Sequence, residues 1–212
     1  MSQPTITWVN AMNLPAVASL EVFRRLAGTD LPDGPTLERA TRCRVLRPGE
    51  ALFTVGDPCP FVFVVNEGLV KMVYETPDGN SWIKGFAEAG VCFASLTALD
   101  GEAMGVTSYS AYAEGPCTVE RIDYRTLQAL AARHLPWQRA MSNAFKLYGQ
   151  RKERREMELL TLSPQERYLN FVRQHPQLAA SVRQRDIASY VRITPVALSR
   201  IRSRLRSRGL IV

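Results

Sequence analysis

The spacing of hydrophobic residues changes twice along the chain. Helical spacing over 12–27 predicts a short amphipathic helix whose apolar positions are Val17, Leu20, Phe23 and Leu26. Turn-forming residues at 28–35 end this helix. From 41 to 123, short β-branched and aromatic runs alternate with turns, as in an antiparallel sandwich or barrel of seven or eight strands. The predicted strands are 43–46, 51–55, 61–66, 69–75, 81–86, 107–113 and 118–122.

After residue 123 helical spacing returns and continues almost to the end of the chain. One helix is predicted over 124–133, and a longer one over about 136–162. Ser163, Pro164 and Glu166 then match a capping box at the start of another helix. The expected class is α+β, with an all-β part, a long connecting helix and a compact helical end.

The long helix carries an apolar stripe that it cannot bury on itself, so it needs a packing partner. A second copy of the same helix is the simplest partner, which predicts a symmetric homodimer. Packing on the chain's own β domain is the alternative. The residues expected at the dimer interface are Trp137, Met141, Ala144, Phe145 and Tyr148.

Two short helices near the C-terminus carry the strongest functional signal. The first is predicted over 184–191, and a tight turn at 192–193 follows it. Thr194 and Pro195 match the N-cap and first position of the second helix, which is expected to end at Ser207. Its predicted inner face is Leu198, Ile201 and Leu205, and its polar outer face is Val196, Ser199, Arg200, Ser203 and Arg204. This layout is typical of a helix-turn-helix, whose second helix enters the major groove of DNA.

Charge is distributed unevenly along the chain. The net charge is +7, but residues 1–138 contribute −4 and residues 139–212 contribute +11. A basic C-terminal part indicates that this end alone faces a polyanion such as DNA. Arg200, Arg204 and Arg208 share one helical stripe, whereas the arginines between them point elsewhere.

The remaining composition excludes several classes of protein. Cys43, Cys59, Cys92 and Cys117 lie far apart, without a CxxC pair or clustered His, so neither a metal site nor a cofactor is expected. They are interpreted as reduced thiols, mostly buried. No stretch is long and apolar enough to span a membrane, and the first ten residues lack the layout of a signal peptide, which predicts a cytoplasmic protein.

The C-terminal third closely resembles the winged helix of the Crp/Fnr superfamily, the cyclic AMP receptor protein and its relatives. The resemblance rests on YLNFVRQHPQL and RQRDIASYVRITPVALSRIRSRL, and it extends in order through a β-barrel (jelly-roll) effector domain and a dimerisation helix over about 15–212. It implies an effector domain over 1–134, a dimerisation helix over 135–162 and a winged helix-turn-helix over 163–212. Residues 209–212 are enough for one strand of the wing.

The resemblance assigns roles to individual residues of the reading head. It places Pro195, Val196 and Arg200 at base-reading positions, with Arg200 suited to guanine. It places the following on or near the DNA backbone: Arg183, Gln184, Thr194, Ala197, Ser199, Ser203 and Arg204. Val196 stands where relatives often have Glu, so the operator is expected to differ. Arg192 replaces the usual turn glycine, which predicts a left-handed backbone position under strain.

The effector domain departs from the nucleotide-binding pattern of this family. Ala94 and Ser95 stand where cyclic-nucleotide binders have Gly and Glu, and the phosphate-binding Arg falls on Thr107 or Tyr109. Between Lys84 and Arg121 there is no Lys, Arg or His, so a buried phosphodiester would lack a cation. The prediction is that cyclic AMP does not bind. An uncharged effector, if there is one, is expected among Phe86, Phe93, Ser95, Leu96, Thr107, Tyr109 and Tyr112.

The sequence therefore predicts a dimeric transcription regulator that is not an enzyme. Its expected partners are double-stranded DNA with a palindromic operator, a second copy of the chain, and an unknown small molecule or none, with RNA polymerase a further candidate. A cyclic-nucleotide, haem or redox sensor of the same family is the alternative. A barrel-type metalloenzyme is more remote, because no His precedes Arg133 to hold a metal.

Overall fold

The computed structural model describes residues 8–10, 18–76, 78–99 and 105–210. The chain divides into two compact units. The first comprises Met1–Tyr74 and Phe86–Leu147, and the second comprises Glu75–Gly85 and Tyr148–Val212. The eleven residues 75–85, which include the start of β6, thus belong with the C-terminal unit, although residues of the first unit flank them in sequence.

The first unit is built on antiparallel strands. The strands of the described residues are β1 (Val9–Asn10), β2 (Arg42–Leu46), β3 (Ala51–Phe53), β4 (Phe61–Glu67), β5 (Leu69–Glu75), β6 (Ser81–Glu88), β7 (Cys92–Phe93), β8 (Ser110–Ala113) and β9 (Cys117–Asp123). They form a five-stranded sheet in the order β1-β2-β9-β4-β7 and a four-stranded sheet in the order β3-β8-β5-β6. Two separate sheets, rather than a continuously closed barrel, thus form the β domain.

Helices account for most of the remaining described residues. They are α1 (Ala18–Ala27), α2 (Gly34–Ala40), α3 (Leu96–Leu99), α4 (Tyr124–Arg133), α5 (Leu135–Thr161), α6 (Pro164–Gln174), α7 (Pro176–Ser181), α8 (Gln184–Tyr190) and α9 (Pro195–Ser207). The α+β class and its order of elements are as the sequence predicts. No described helix is long and apolar enough to cross a membrane.

Several elements differ from the sequence-based expectation. α2 was not expected, because Gly34 and Pro35 resemble a helix breaker; in fact Pro35 lies in the first turn, where its missing N–H costs nothing. The strand expected over 107–113 begins only at Ser110. Val17 of the expected first helix and the last two residues of the expected wing lie outside the described residues.

The two sheets enclose an aromatic core. Phe63 of β4 packs against Phe93 at 5.5 Å and against Phe53 at 5.4 Å between ring centroids. A second core lies where the helices cover the five-stranded sheet, and it includes Phe23 of α1 and Ile122 of β9. These two cores fix the β domain and the base of α5.

Trp137 belongs to this second core, so its assignment to a dimer interface is wrong. Its side chain is 0% exposed, its indole N–H donates to the Pro32 carbonyl at 2.7 Å, and its ring lies 5.8 Å from that of Phe23. Met141 packs partly on the same core. The first turns of α5 therefore pack on the chain's own β domain, which the sequence analysis gave as the alternative. Further along the helix, Phe145 and Leu147 are 43% and 44% exposed.

A buried carboxylate joins α1 to the sheet. Glu120 of β9 is 0% exposed and accepts hydrogen bonds from the backbone N–H groups of Ala18 (3.0 Å) and Ser19 (2.8 Å) and from the Asn66 side chain (2.8 Å). These N–H groups at the helix start lack partners within the helix, and the helix dipole also favours an anion there. Glu120 thereby caps α1 from about a hundred residues away.

Candidate nucleic-acid interface

The helix-turn-helix of the second unit is formed by α8, the turn Val191–Ile193 and α9. Thr194 caps α9: its hydroxyl accepts a hydrogen bond from the Ala197 N–H at 3.2 Å, and Pro195 follows it in the first turn. Apolar side chains that are at most 1% exposed hold the two helices together: Ile187, Ala188, Val191, Leu198 and Leu205. The predicted cap at Thr194 and the predicted helix end at Ser207 are confirmed. Of the predicted inner face, Leu198 and Leu205 are buried, whereas Ile201 is half-buried.

The turn between the helices contains a strained residue. Arg192 has a φ of 62°, the left-handed conformation that the sequence predicts at this position. A non-glycine residue there costs roughly 1 kcal/mol. The turn is closed by a hydrogen bond of 3.0 Å from the Ile193 N–H to the Ala188 carbonyl.

Two arginines from outside the motif hold the C-terminal end of α8. Arg155 of α5 donates to the Tyr190 carbonyl and lies 4.1 Å from the centre of the Tyr190 ring. Arg167 of α6 donates to the Val191 carbonyl at 2.9 Å and to the Leu162 carbonyl at 2.6 Å. Cations are favoured at this end of a helix, where carbonyls lack partners. Part of the positive charge of this unit is therefore structural.

The start of β6 contacts α8 and the same turn from within the second unit. The Ile83 N–H donates to the Ser189 hydroxyl at 2.9 Å, and the Arg192 guanidinium lies 4.0 Å from the centre of the Trp82 ring. Sequence reasoning missed Trp82, Arg155 and Arg167, because each meets the motif across a long separation in the chain and no local pattern marks such a contact.

The outward surface of α9 is polar and basic. Val196 is 61% exposed, and Thr194, Pro195, Ser199, Arg200, Ser203 and Arg204 are exposed as well. Arg183 and Gln184 are exposed at the start of α8, whereas Ala197 is half-buried. Arg202 is half-buried and turned away, with a buried Nε that has no hydrogen-bond partner among the described residues. Nine of the ten predicted DNA-contacting residues are thus open to solvent.

Three of the residues predicted to line an effector pocket lie near α3, and their hydroxyl groups are already bonded to backbone groups of the protein. Ser95 accepts a hydrogen bond from the Ser108 N–H at 3.2 Å, the Thr107 hydroxyl donates to the Thr54 carbonyl at 2.5 Å, and the Tyr109 hydroxyl donates to the Ala94 carbonyl at 2.9 Å. Side chains of Ser95, Thr107 and Tyr109 are at most 2% exposed. Phe86, Phe93 and Leu96 are half-buried.

A cation from α1 approaches the backbone just before β7. Arg25 of α1 donates to the Gly90 carbonyl at 3.4 Å, just before β7. The stretch between Lys84 and Arg121 lacks a cation of its own, but sequence spacing could not show that α1 brings one to its edge. Arg25 is exposed and directed at a backbone carbonyl.

The four cysteines are free thiols, and Cys43, Cys59 and Cys117 are buried as predicted, with Cys92 half-buried. Burial raises the pKa of Cys43 and Cys117 to about 11 and that of Cys59 to about 12. A thiol must lose its proton to react or to bind a metal, so these three are unreactive at neutral pH. Among the described residues there is no group of three or more His, Cys, Asp or Glu arranged to hold a metal ion.

Comparison with known proteins identifies relatives of both parts. The cyclic nucleotide-binding domain family matches residues 43–134. The chain is 30% identical, over 187 residues, to the transcriptional activator protein Anr of Pseudomonas aeruginosa, and the match covers 82% of the chain and 74% of that protein.

Solved structures show the same fold. FixK2 from Bradyrhizobium japonicum matches with a TM-score of 0.69 and 21% identity over 80% of the chain and 86% of that protein. The c-di-GMP-responsive regulator CLP of Xanthomonas campestris matches with a TM-score of 0.67 and 19% identity over 85% of the chain and 95% of that protein. The 30% identity to Anr over most of both chains, in agreement with this fold, shows that the chain belongs to the Crp/Fnr family of transcription regulators.

Proposed function

We propose that the protein is a homodimer that recognises a palindromic DNA operator with the N-terminal half of α9. The observation that carries this proposal is the exposed polar face of α9 on a helix that is capped by Thr194 and packed through buried Leu198 and Leu205. A major groove admits one helix, and its first turns meet the base edges. Symmetric operators then follow from a symmetric dimer.

Different residues of this face serve different purposes. Pro195, Val196 and Arg200 read bases, and Arg200 donates two hydrogen bonds to guanine. The backbone of the DNA is held by Arg183, Gln184, Thr194, Ala197, Ser199, Ser203 and Arg204. Val196 offers a base edge only apolar contact, which favours a thymine methyl at its position.

The experiment is selection of DNA from a random library, followed by titration of the selected operator. Arg200→Ala is expected to weaken operator binding by about 1–3 kcal/mol and to relax selection at one base pair of each half-site. Arg173→Ala, an exposed arginine of α6 outside the motif, is the control and should change neither. Unselective binding, or equal losses in the two variants, would refute the assignment.

For the β domain, we propose that cyclic AMP is not the effector. The hydroxyl groups of Ser95, Thr107 and Tyr109 already bond within the protein, and a phosphodiester buried beside them would need a cation. The matching domain family favours the competing function, a cyclic-nucleotide-responsive regulator. Calorimetric titration with cyclic AMP distinguishes these two functions. Saturable binding with a micromolar dissociation constant would favour the cyclic-nucleotide-responsive regulator.

The proposal that α5 forms the dimer interface is supported by the exposed apolar side chains of this helix. The proposal also includes recruitment of RNA polymerase by the DNA-bound dimer. The relatives are transcription regulators rather than enzymes. Redox sensing through the buried thiols is disfavoured, because their raised pKa keeps them protonated.

A further inference from the structure

At one edge of the core between the sheets, three arginines lie on the same face of neighbouring strands. Arg42 stands directly opposite Arg121 in the β2–β9 ladder, and Arg44 follows two residues along β2. Like charges opposite each other in a sheet repel and destabilise it. The pKa of Arg121 is lowered, mainly by burial; Cys59 opposes this shift, and the charges of Arg42 and Arg44 add to it. An arrangement that costs stability without a partner points to a binding role.

Protein groups satisfy only part of this cluster. Arg44 pairs with Glu50 through one nitrogen. Its other terminal nitrogen, Nη1, is buried and has no hydrogen-bond partner in the part of the chain that the structure describes, and the side chain is only 6% exposed. Arg42 donates to the backbone carbonyls of Arg39 and Thr41. Within the described part of the chain, no acceptor bonds to Arg121. A buried guanidinium nitrogen without an acceptor is costly, and an anion would remove that cost.

The surroundings of the cluster are aromatic. The Arg121 guanidinium carbon lies 4.2 Å from the centre of the Trp8 ring and 4.4 Å from that of Phe61, and Arg44 lies 5.8 Å from Trp8. Trp8 and Phe61 both pack against Phe63 of the core, and the centre of each of their rings lies 6.4 Å from the centre of the Phe63 ring. Stacking on the ring faces positions a guanidinium but leaves its N–H groups in need of acceptors.

We propose that this site, formed by Arg44, Arg121, Trp8 and Phe61, binds a small organic carboxylate with a flat apolar body. A carboxylate matches the paired N–H groups of a guanidinium, and an apolar body matches the rings beside it. Inorganic phosphate supplies the charge without the apolar part. The site is distinct from the closed region beside α3, and it gives the effector domain a ligand class that a test for cyclic AMP would miss.

The test is calorimetric titration of the full chain, without DNA, with benzoate and phenylacetate as probes. Benzamide serves as the uncharged match for benzoate, and inorganic phosphate as the anion without a ring. We expect saturable binding of at least one carboxylate and none of benzamide. Arg121→Gln should weaken that binding about tenfold or more, since hydrogen bonds to charged groups are the strong ones. Because DNA is absent, the result does not depend on the proposed DNA recognition.

Arg125→Gln is the matched control, because Arg125 is an exposed arginine at the start of α4 outside the cluster. It should bind the probe as the unaltered chain does. Arg44→Gln keeps the test valid if Arg121→Gln fails to fold, because it removes the orphaned nitrogen and should also abolish binding. Absence of binding by both carboxylates, equal binding in the Gln variants, or binding of phosphate alone would each overturn the proposal.

Discussion

At the scale of single residues, Arg192 combines an unfavourable backbone with a favourable side-chain contact. Its φ of 62° costs roughly 1 kcal/mol relative to glycine, whereas its position 4.0 Å from Trp82 returns about 0.5–1 kcal/mol. Sequence reasoning predicted the strain from the turn position alone. It could not predict the ring that offsets the strain, because Trp82 lies 110 residues earlier.

This balance predicts how a glycine at position 192 behaves. Arg192→Gly should change the free energy of unfolding little, since strain relief and lost stacking nearly cancel. In a Trp82→Ala background only the strain relief remains, so the same substitution should stabilise by about 1 kcal/mol. Urea unfolding of the four proteins measures both. Equal effects in both backgrounds would mean that the stacking contributes nothing.

The lowered pKa of Lys84 predicts that the stability of the protein depends on pH. Burial first, and then the nearby Lys152, lower this pKa from 10.5 to about 8. The unfolded chain therefore holds this proton more tightly, and the free energy of unfolding should gain a contribution from Lys84 as pH rises from about 8 to 10.5. Lys84→Met should remove that rise and stabilise the protein at pH 7 by about 1–2 kcal/mol.

Stability curves from pH 7 to about 10.5 for the unaltered chain and Lys84→Met provide the measurement, and their difference isolates Lys84 from other titrating groups. Lys152→Met is the companion variant, because removing its charge should bring the pKa of Lys84 closer to 10.5 and shrink the rise. A difference curve that is flat over this range would contradict the lowered pKa.

At the scale of elements, hydrophobic spacing predicted most strands and, from α4 onward, every helix except the short α7, because each predicted element buries one regular face. It failed where a neighbour distant in sequence decides the structure. α2 begins in what resembles a turn, β7 is only two residues long, and Trp137 is buried because α1 and Pro32 cover it. No local period records such a partner.

The helix-turn-helix depends on the two arginines that hold the end of α8, so removing either arginine should lower the stability of the protein. Arg167→Met removes two charged donors, and Arg155→Met also leaves buried Glu158 without its cation, 4.0 Å away. Each change should lower the free energy of unfolding by about 2 kcal/mol.

Arg154→Met, at an exposed neighbouring position of α5, is the control and should fall within about 0.5 kcal/mol of the unaltered chain. Urea unfolding followed by circular dichroism is the measurement. Equal stability of all four proteins would show that solvent can replace these contacts, and the turn would then need another explanation.

At the scale of the whole molecule, a substitution in the long helix α5 tests the proposed dimer. Phe145→Asp places a charge on an exposed apolar position of α5, so it should dissociate the dimer without unfolding the protomer. Sedimentation velocity would record the change, and operator affinity should fall because two half-sites are no longer bound together. Gln150→Asp, exposed on the other side of α5, should leave the dimer intact. A dimer that survives Phe145→Asp would place the interface elsewhere.

The grouping of residues 75–85 with the C-terminal unit bears on how such regulators can be recombined. A fusion joined within α5 would give residues 148–212 a foreign effector domain and leave Trp82 and Ile83 behind, so Arg192 would keep its strained backbone and lose its ring. The modular boundary for domain exchange is therefore discontinuous in sequence. A transplanted helix-turn-helix should therefore be accompanied by residues 75–85, or by a tryptophan at the corresponding place in the new host.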